Sequence, residues 1–336
     1  MARTGIAVIG AGPWGLTLTG AFASLPQVQV RWIAELDPER RVNAGAVHPD
    51  ARLTGDLDDA LRDPEVAAVV VAVDPARHHA VGMRALAANK HVFVEKPLAL
   101  SAHDAGAMCA AAAARGLVLT VGHLLLHHPA VSRARVILAD AMLGEPLTFR
   151  SSRTTPGAPR RPGSAWWALA PHDISLALHL FAGLPTTVAA TCADWGRSDE
   201  DNAAAAVLSF PGGRTAHITV ARFAPRKRRA TTIEGARAAL TFDELATADQ
   251  TLRLRTPEGT VGLLCDPVDA LRAQCLQFVA SVARGDARAG NGSHAVDVVA
   301  VLEAGERSMR CGGAAQRVAV DGAVAAPLET ASFEAA

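Results

Sequence analysis

The first 121 residues alternate short apolar strands with helices, and this alternation restricts the possible folds more than any other feature of the chain. Strands are predicted at 5–9, 28–35, 66–73, 91–95 and 117–121, and helices at 14–24, 56–62, 77–88 and 102–115. The strand at 66–73 is a nearly continuous run of Val and Ala, which suits a strand covered on both faces. The alternation predicts a doubly wound parallel sheet with right-handed crossovers.

The pattern changes after about residue 125. A helix at 129–141 is followed by period-2 segments separated by turn residues, which predict a second, α+β domain with a large, mostly antiparallel sheet. The fold class is therefore α/β, with a first domain at 1–123 and a second at 124–336. The strands of the second domain are predicted at 146–152, 187–195, 203–210, 215–223, 230–234, 239–242, 251–256 and 317–320, and its other helices at 171–182, 267–284 and 293–310.

Composition excludes some classes of partner. The chain has 33 Lys and Arg against 33 Asp and Glu, which gives no electrostatic reason to expect nucleic acid or an anionic membrane. The short basic run at 226–229 fits a solvated strand or loop, or a contact to an anionic substrate group. No signal peptide or membrane span is predicted, and five scattered cysteines form no Cys-x-x-Cys pair. We expect a reduced, cytoplasmic protein with no metal site and no disulfide framework.

A glycine-rich loop joins the first strand to the first helix. The residues Gly10, Gly12, Pro13, Trp14 and Gly15 lie in a G-x-G-x-x-G motif, and Glu35 ends the next strand. This setting is the dinucleotide-binding fingerprint of a Rossmann fold, in which the glycines allow a pyrophosphate to approach a helix N-terminus. Glu35 would accept hydrogen bonds from the ribose hydroxyls and repel a 2′-phosphate, so NAD is favoured over NADP. Asp37, in the turn beyond, is the alternative for that role.

The heptapeptide at 91–97, HVFVEKP, is a short apolar strand that stops at Pro97, because proline cannot donate a ladder hydrogen bond. Glu95 and Lys96 therefore lie at the carboxyl edge of the sheet, where open α/β sheets bind ligands. Lys96 is either a solvated charge at a strand end or a group aimed at a bound molecule. Other strands end at the same crevice, and the residues expected beside the cofactor there are Asp74, Pro75, His78 and His123, with His127 and His128 behind them.

These segments together resemble the glucose–fructose oxidoreductase/inositol dehydrogenase (Gfo/Idh/MocA) family, over nearly the whole chain. The most specific are KHVFVEKPL at 90–98 and Pro-His-Asp-Ile at 171–174. Within the family the chain is most similar to bacterial dehydrogenases of nucleotide-linked amino sugars. The supporting segments are the loop at 10–15, ELDPER at 35–40, and those at 75–78, 121–123 with Pro129, 167–170 and 225–227.

The resemblance implies an NAD-dependent enzyme in which Lys96 lies near the nicotinamide and the reacting carbinol, and His172 acts as acid/base. It also implies a small-molecule substrate, a sugar or sugar nucleotide, and a homo-oligomer built on an open-faced sheet. The residues themselves agree, since His172 follows Pro171 at the predicted start of a helix and can point into a cleft. A packed or capping role for this histidine is the alternative.

Three departures from the family pattern suggest a pocket shaped for a different substrate. Ala168 stands where relatives have a carboxylate four residues before the histidine, His127-His128 replace Tyr-Asn, and Val73 replaces a threonine. A positioned acid/base is typically worth about 10²–10⁴-fold in rate. Another group must therefore substitute for the acid, Lys96 must carry more of the proton transfer, or the chemistry is altered.

The leading hypothesis is hydride transfer between NAD and a secondary alcohol or ketone of a sugar or nucleotide-linked sugar. One alternative is an imine or ketone reductase for a specialised metabolite, and another is a catalytically weakened relative that senses NAD. Arg153 and Arg160 could bind a phosphate or carboxylate of the substrate or lie at the surface. Trp166 and Trp167 could line the substrate pocket or pack in the core, and we expect one of them to pack, with Trp167 as the candidate substrate contact.

Overall fold

The computed structural model describes residues 3–145, 147–156, 164–193 and 202–319. Six strands of the first part of the chain form a wholly parallel sheet, and their order across it is third, second, first, fourth, fifth, sixth. That order is the one found in Rossmann folds, so the predicted fold class is confirmed. The strands are β1 (Thr4–Ile9), β2 (Val28–Ala34), β3 (Arg52–Thr54), β4 (Ala68–Val71), β5 (His91–Val94) and β6 (Leu119–Val121).

Five α-helices connect these strands. One of them, the helix at Pro38–Val47, and strand β3 were not predicted from the sequence. The missed helix buries only Ala44, so its sequence has no apolar period to detect. It begins where the Asp37 side chain accepts hydrogen bonds from the amides of Glu39 and Arg40. The helices are α1 (Pro13–Ala23), α2 (Pro38–Val47), α3 (Leu57–Arg62), α4 (His78–Ala87) and α5 (Ala102–Ala114).

The second part of the chain contains a sheet of nine described strands in the order β14-β13-β12-β11-β7-β10-β9-β8-β15. The ranges are β7 (Thr148–Pro156), β8 (Thr187–Ala193), β9 (Ala203–Ser209), β10 (Thr215–Ala224), β11 (Arg228–Glu234), β12 (Ala239–Asp243), β13 (Leu252–Thr256), β14 (Gly259–Gly262) and β15 (Gln316–Arg317). Every pairing is antiparallel except that of β7 with β10. One face packs on helices, whereas the opposite face carries a shallow cavity of about 470 Å³ lined largely by Arg, Ser and Thr side chains. The sheet is thus open on one side.

The described residues of this second part also form four α-helices: α6 (Pro129–Ala139), α7 (Ala165–Phe181), α8 (Ala270–Arg284) and α9 (Gly292–Arg310). The prediction that a helix starts at residue 171 was wrong, because Pro171 and His172 lie inside α7. The Ser164 side chain caps this helix by accepting from the amide of Trp167, so the helix begins six residues before the proline. A proline within a helix lacks an N–H and crowds the preceding turn, which weakens the main-chain hydrogen bonding there.

The late helices complete the core of the parallel sheet. Phe278 of α8 packs edge-to-face against Phe22 of α1 and Phe93 of β5, with ring centroids 6.1 and 5.6 Å apart. Val299 of α9 joins the apolar cluster on the other side of the same sheet. A boundary at residue 123 therefore does not separate two independent cores, although it marks where the sheet changes.

This arrangement brings α7 against the carboxyl edge of the parallel sheet. Lys96, directly after β5, hydrogen-bonds to the main chain of α7. No α-helix in the described part of the chain is both long and apolar enough to cross a membrane. None of the five cysteines, all of which are described, takes part in a disulfide.

Candidate active site

The glycine loop has the geometry that a dinucleotide requires. Gly10 has a φ of +99°, and a Cβ there would lie 2.4 Å from the carbonyl oxygen of Ala72. A Cβ on Gly15 would lie 2.1 Å from the carbonyl oxygen of Gly10, so this glycine lets α1 pack against the loop. By contrast, a Cβ on Gly12 would meet no described atom within 4 Å, because Gly12 faces an open cleft. These are the three distinct roles that glycines have in a dinucleotide-binding turn.

Glu35 lies across this cleft from the helix and is tied to the glycine loop. Its Oε2 accepts a hydrogen bond from the amide of Ala11 at 2.7 Å, and its Oε1 accepts from the amide of Asp37 at 3.0 Å. The Asp37 side chain is instead used to cap α2. The cleft has a volume of about 710 Å³ and is lined by Gly10, Gly12, Glu35, Asp74 and Arg77, among others. The residues present therefore fit a bound dinucleotide, with Glu35 placed for its ribose.

Lys96 lies where the parallel sheet meets α7. Its Nζ donates a hydrogen bond to the main-chain carbonyl of Ala168 at 2.8 Å, one turn before His172. Burial lowers the pKa of Lys96, and the positive charges of Arg153, Arg229 and Arg222 lower it further, while Glu95 opposes them. Ala168, which stands where relatives have a carboxylate, thus provides its main-chain carbonyl oxygen as the partner of Lys96.

Glu95 supports the lysine from inside the sheet. Its Oε2 accepts a hydrogen bond from the amide of Lys96 at 3.2 Å. Burial raises its pKa, and its Oε1 has no partner among the described residues. A Cβ on Gly122 would lie 2.7 Å from that Oε1, so the residue at 122 must be small. Glu95 is therefore enclosed behind Lys96, below the floor of the crevice.

His172 and His123 bring unpartnered ring nitrogens into the same region. Within the described chain, Nδ1 of His172 and both ring nitrogens of His123 have no hydrogen-bond partner. Burial lowers the pKa of both far below 6.5, with Lys96 and Arg153 adding to the effect at His172, and His294 and Lys96 at His123. Buried polar atoms normally have partners, so these unpartnered nitrogens beside a desolvated lysine mark a candidate functional site.

Arg153 is enclosed by carboxylates and does not lie at the surface. Its side chain is 4% exposed, with Nε 2.8 Å from Oδ2 of Asp173 and Nη2 2.5 Å from Oε1 of Glu244. Burial alone would lower its pKa, but the two carboxylates raise it overall. A guanidinium held by two carboxylates has little capacity left for a substrate anion, so Arg153 serves to support the site.

Three histidines predicted to line the crevice have side chains that contact other parts of the structure. His78 is buried between the carbonyls of Pro97 and Val73, behind the cofactor loop. His128 caps α6, because its Nδ1 accepts from the amide of Ala130, and its ring packs on Phe242. His127 lines a separate polar cavity of about 200 Å³ together with Gln274 and Asn291. Ring orientation explains these differences, since a strand end places a residue near the crevice without aiming its side chain there.

The remaining predicted residues are placed as follows. Trp167 lies partly buried between the core of the parallel sheet and that of the second sheet, and Trp166 is buried, with its indole donating to the carbonyl of Leu302. Asp74 caps the short turn that Pro75 begins. Arg160 is outside the described residues.

Sequence reasoning missed the second layer of the site. Asp173 and Glu244 form ion pairs with Arg153. The rings of His294 and His123 have their centroids 5.5 Å apart, and Nε2 of His294 is hydrogen-bonded to the Ser175 hydroxyl at 2.9 Å. Asp173 stood beside a predicted catalytic histidine and could have been noticed. Glu244 and His294 come from distant segments, and no local pattern marks them.

A Rossmann sheet with an open dinucleotide cleft, and a desolvated lysine and histidine at its carboxyl edge, defines the class of NAD-binding oxidoreductases. The chain belongs to the GFO/IDH/MocA family of this class. Residues 4–123 match the model described as oxidoreductase family, NAD-binding Rossmann fold, and residues 131–241 match the GFO/IDH/MocA C-terminal domain.

The relatives include two proteins named for nucleotide sugars. UDP-N-acetylglucosamine 3-dehydrogenase of Acidithiobacillus ferrooxidans is 30% identical over 66% of this chain and 67% of its own. Its solved structure gives a TM-score of 0.82 at 25% identity, covering 93% of this chain and 99% of that one. The dTDP-3,4-didehydro-2,6-dideoxy-alpha-D-glucose 3-reductase of Saccharopolyspora spinosa is 26% identical over 87% of this chain and 93% of its own.

Other comparisons agree on the fold. The structure of GenD2 from gentamicin A biosynthesis, in complex with NAD, gives a TM-score of 0.83 at 25% identity and covers 94% of this chain and 97% of that one. Two further curated relatives, an uncharacterised oxidoreductase of Bacillus subtilis and a cyclohexadiene dehydrogenase of Comamonas testosteroni, are matched over only 66% and 58% of their lengths.

Proposed function

We propose that this protein transfers a hydride between NAD and a secondary alcohol or ketone of a nucleotide-linked sugar. The observation that carries the proposal is the hydrogen bond from Lys96 to the Ala168 carbonyl. It places a desolvated amine between the cofactor cleft and the helix that bears His172. The two nucleotide-sugar relatives support the substrate class.

Lys96 and His172 have different roles at the substrate oxygen. Lys96 hydrogen-bonds that oxygen and stabilises the negative charge that develops on it as its proton leaves. Because burial lowers the pKa of His172 well below 6.5, the ring is neutral near pH 7 and can accept the proton in the oxidative direction. Bound NAD supplies the hydride acceptor. The Ala168 carbonyl fixes the position of the Lys96 ammonium. Because it carries no proton, this carbonyl takes no part in the proton transfer.

The cofactor pocket favours NAD over NADP. The Glu35 carboxylate faces the cleft and is fixed by the amides of Ala11 and Asp37, so it would accept from the ribose hydroxyls and repel a 2′-phosphate. Calorimetric titration with NAD and NADP tests this choice, with an E35Q variant as comparison. E35Q should lose affinity for NAD and discriminate less against NADP.

Turnover tests the function directly. Nicotinamide absorbance is followed with NAD and UDP-N-acetylglucosamine, dTDP-glucose, myo-inositol or levoglucosan, with K96M as the inactive control. We expect reduction of NAD with a nucleotide sugar, no turnover by K96M, and NAD binding that is unchanged by the mutation. Wild-type turnover in K96M would contradict the roles assigned here, and NAD binding without turnover of any compound would favour an NAD sensor.

A second candidate is the reduction of a ketone or imine of a specialised metabolite. The alanine at residue 168 favours it, because relatives have a carboxylate there and this chain does not. The Lys96 ammonium, held by a main-chain carbonyl, has a proton to donate. The likeness to GenD2 from gentamicin A biosynthesis also supports it. Oxidation of NADH with 3-keto sugars and with aminoglycoside ketones, compared with the NAD reactions above, separates the two candidates.

We further propose a cytoplasmic homo-oligomer. Five cysteines without a disulfide and the open face of the nine-stranded sheet support this proposal. Light scattering of the purified protein tests the assembly, and a monomer at micromolar concentration would contradict it.

A further inference from the structure

His78 joins two loops that meet beneath the crevice. Its side chain is 1% exposed, and both ring nitrogens face main-chain oxygens. Nδ1 lies 2.7 Å from the carbonyl oxygen of Pro97, and Nε2 lies 3.1 Å from that of Val73. Val73 lines the cofactor cleft, and Pro97 directly follows Lys96. One buried ring therefore connects the wall of the cleft to the turn that presents the lysine.

A neutral imidazole has a single N–H and can donate to only one of these carbonyls. Burial lowers the pKa of His78, although both carbonyls and Asp74 oppose the shift, and Lys96 adds to it. His78 is also the first residue of α4, and the positive end of the helix dipole there makes the charged imidazolium less favourable than the neutral ring. We assign the N–H to Nδ1, because its contact with the Pro97 carbonyl oxygen is the shorter of the two.

We propose that His78 is a positioning residue for Lys96, acting through the Pro97 carbonyl. The Nδ1–H bond restrains the turn at 96–97, and the restrained turn keeps Nζ within 2.8 Å of the Ala168 carbonyl. The inference rests on the proposed function in one respect only, that Lys96 is the group that contacts the reacting oxygen. The position of the lysine side chain can be measured without any substrate.

Two substitutions separate the nitrogens of the ring. The side-chain nitrogen of asparagine is as many bonds from Cα as Nδ1, and that of glutamine is as many as Nε2. H78N therefore keeps a donor for Pro97 and loses the contact to Val73, whereas H78Q does the reverse. H78F removes both. H79N, at the next position of the same helix, is the matched control.

The first measurement is the rate at which acetic anhydride acetylates Lys96, quantified by mass spectrometry of the intact enzyme and its peptides. H78Q and H78F should raise that rate about tenfold, the equivalent of one buried hydrogen bond, because Nζ leaves Ala168. H78N and H79N should match the wild type. NADH binding and melting temperature report whether each variant is folded, and the Asn and Gln variants decide the matter if H78F does not fold.

Turnover with UDP-N-acetylglucosamine is the second measurement. kcat should fall about tenfold or more in H78Q and stay near the wild-type value in H78N, with KM for NAD little changed in both. Wild-type acetylation of Lys96 in H78Q, equal changes in H78N and H78Q, or a change in H78N alone would each overturn the inference. If the wild type turns over none of the nucleotide sugars in the panel, the proposed function fails while the acetylation series still tests His78.

Discussion

Arg153 binds both carboxylate oxygens of Asp173, the residue that follows His172, at distances of 2.8 and 3.2 Å. A fork of this kind fixes both orientation and distance, because two parallel hydrogen bonds define a plane. Glu244, beside β12, holds the other side of the guanidinium. The histidine proposed to accept the proton is therefore anchored, through its neighbour on α7, to the second sheet.

Removal of Arg153 should destabilise the fold strongly. R153M leaves the Asp173 carboxylate buried without its cation and, among the described residues, leaves Glu244 only Arg229, 3.7 Å away. Losing one partner of a buried pair typically costs about 3–5 kcal/mol. The free energy of unfolding in urea measures the effect. The matched control is R150M, since Arg150 on the same strand pairs with Glu234 at the surface, where ion pairs are worth at most about 1 kcal/mol. Equal losses in the two variants would contradict a supporting role for Arg153.

The pH dependence of turnover should show a basic group with an unusually low pKa. The neutral ring of His172 is the form that accepts a proton, and burial together with nearby Lys96 lowers its pKa well below 6.5. Oxidation should therefore continue undiminished as the pH falls through 6.5, and decline only at lower pH. H172N should reduce kcat by about 10²-fold or more and remove that decline. A wild-type decline centred above pH 6.5 would be inconsistent with this assignment.

Two glycines of one helix allow cofactor binding to be separated from folding. Gly12 has a φ of −64°, which alanine accepts, and a Cβ there points into the open cleft. G12A should leave the melting temperature unchanged and lower NADH affinity about tenfold or more, by obstructing the pyrophosphate. G20A, within α1 and also free of close contacts to described atoms, should bind NADH normally and gain about 0.5–1 kcal/mol of stability. Normal NADH binding by G12A would disprove the placement of the cofactor.

Acid should destabilise the protein through the histidines behind the site. Burial lowers the pKa of His294 from 6.5 to about 4, so the unfolded chain takes up a proton that the folded chain refuses. A lowered pKa of a base gives stability that is complete above pH 6.5 and is lost as the pH falls towards 4. At pH 5 this residue alone should cost about 2 kcal/mol relative to pH 8.

Comparison of urea unfolding at the two pH values tests this expectation. H294N should reduce the loss between pH 8 and pH 5 by that amount, and H103N, a change at an exposed position of α5, should not. An unaltered pH dependence in H294N would show that another group is responsible.

The sequence revealed the parts of the site that depend on local pattern. The glycine loop, Glu35 and Lys96 follow from strand ends and turn residues, which short segments specify. The start of α7 was misplaced because 165–170 is apolar all round and has no period, and because Pro171 looks like a helix start. The two carboxylates that bind Arg153 lie 20 and 91 residues away from it in the sequence. Such pairings arise only when β7, α7 and the segment after β12 pack together, so no short window of the sequence contains them.

The packing of Phe278 on Phe22 and Phe93 also bears on the order in which the protein is made. The six parallel strands and their connecting helices are synthesised before α8 and α9. These two helices nevertheless supply part of the core on either side of that sheet, including Phe278 of α8 and Val299 of α9. Until α8 has been synthesised, the chain lacks the ring that packs on Phe22 of α1 and Phe93 of β5. A chain that ends before α8 therefore lacks part of the apolar core that packs against the sheet carrying both the glycine loop and the turn of Lys96.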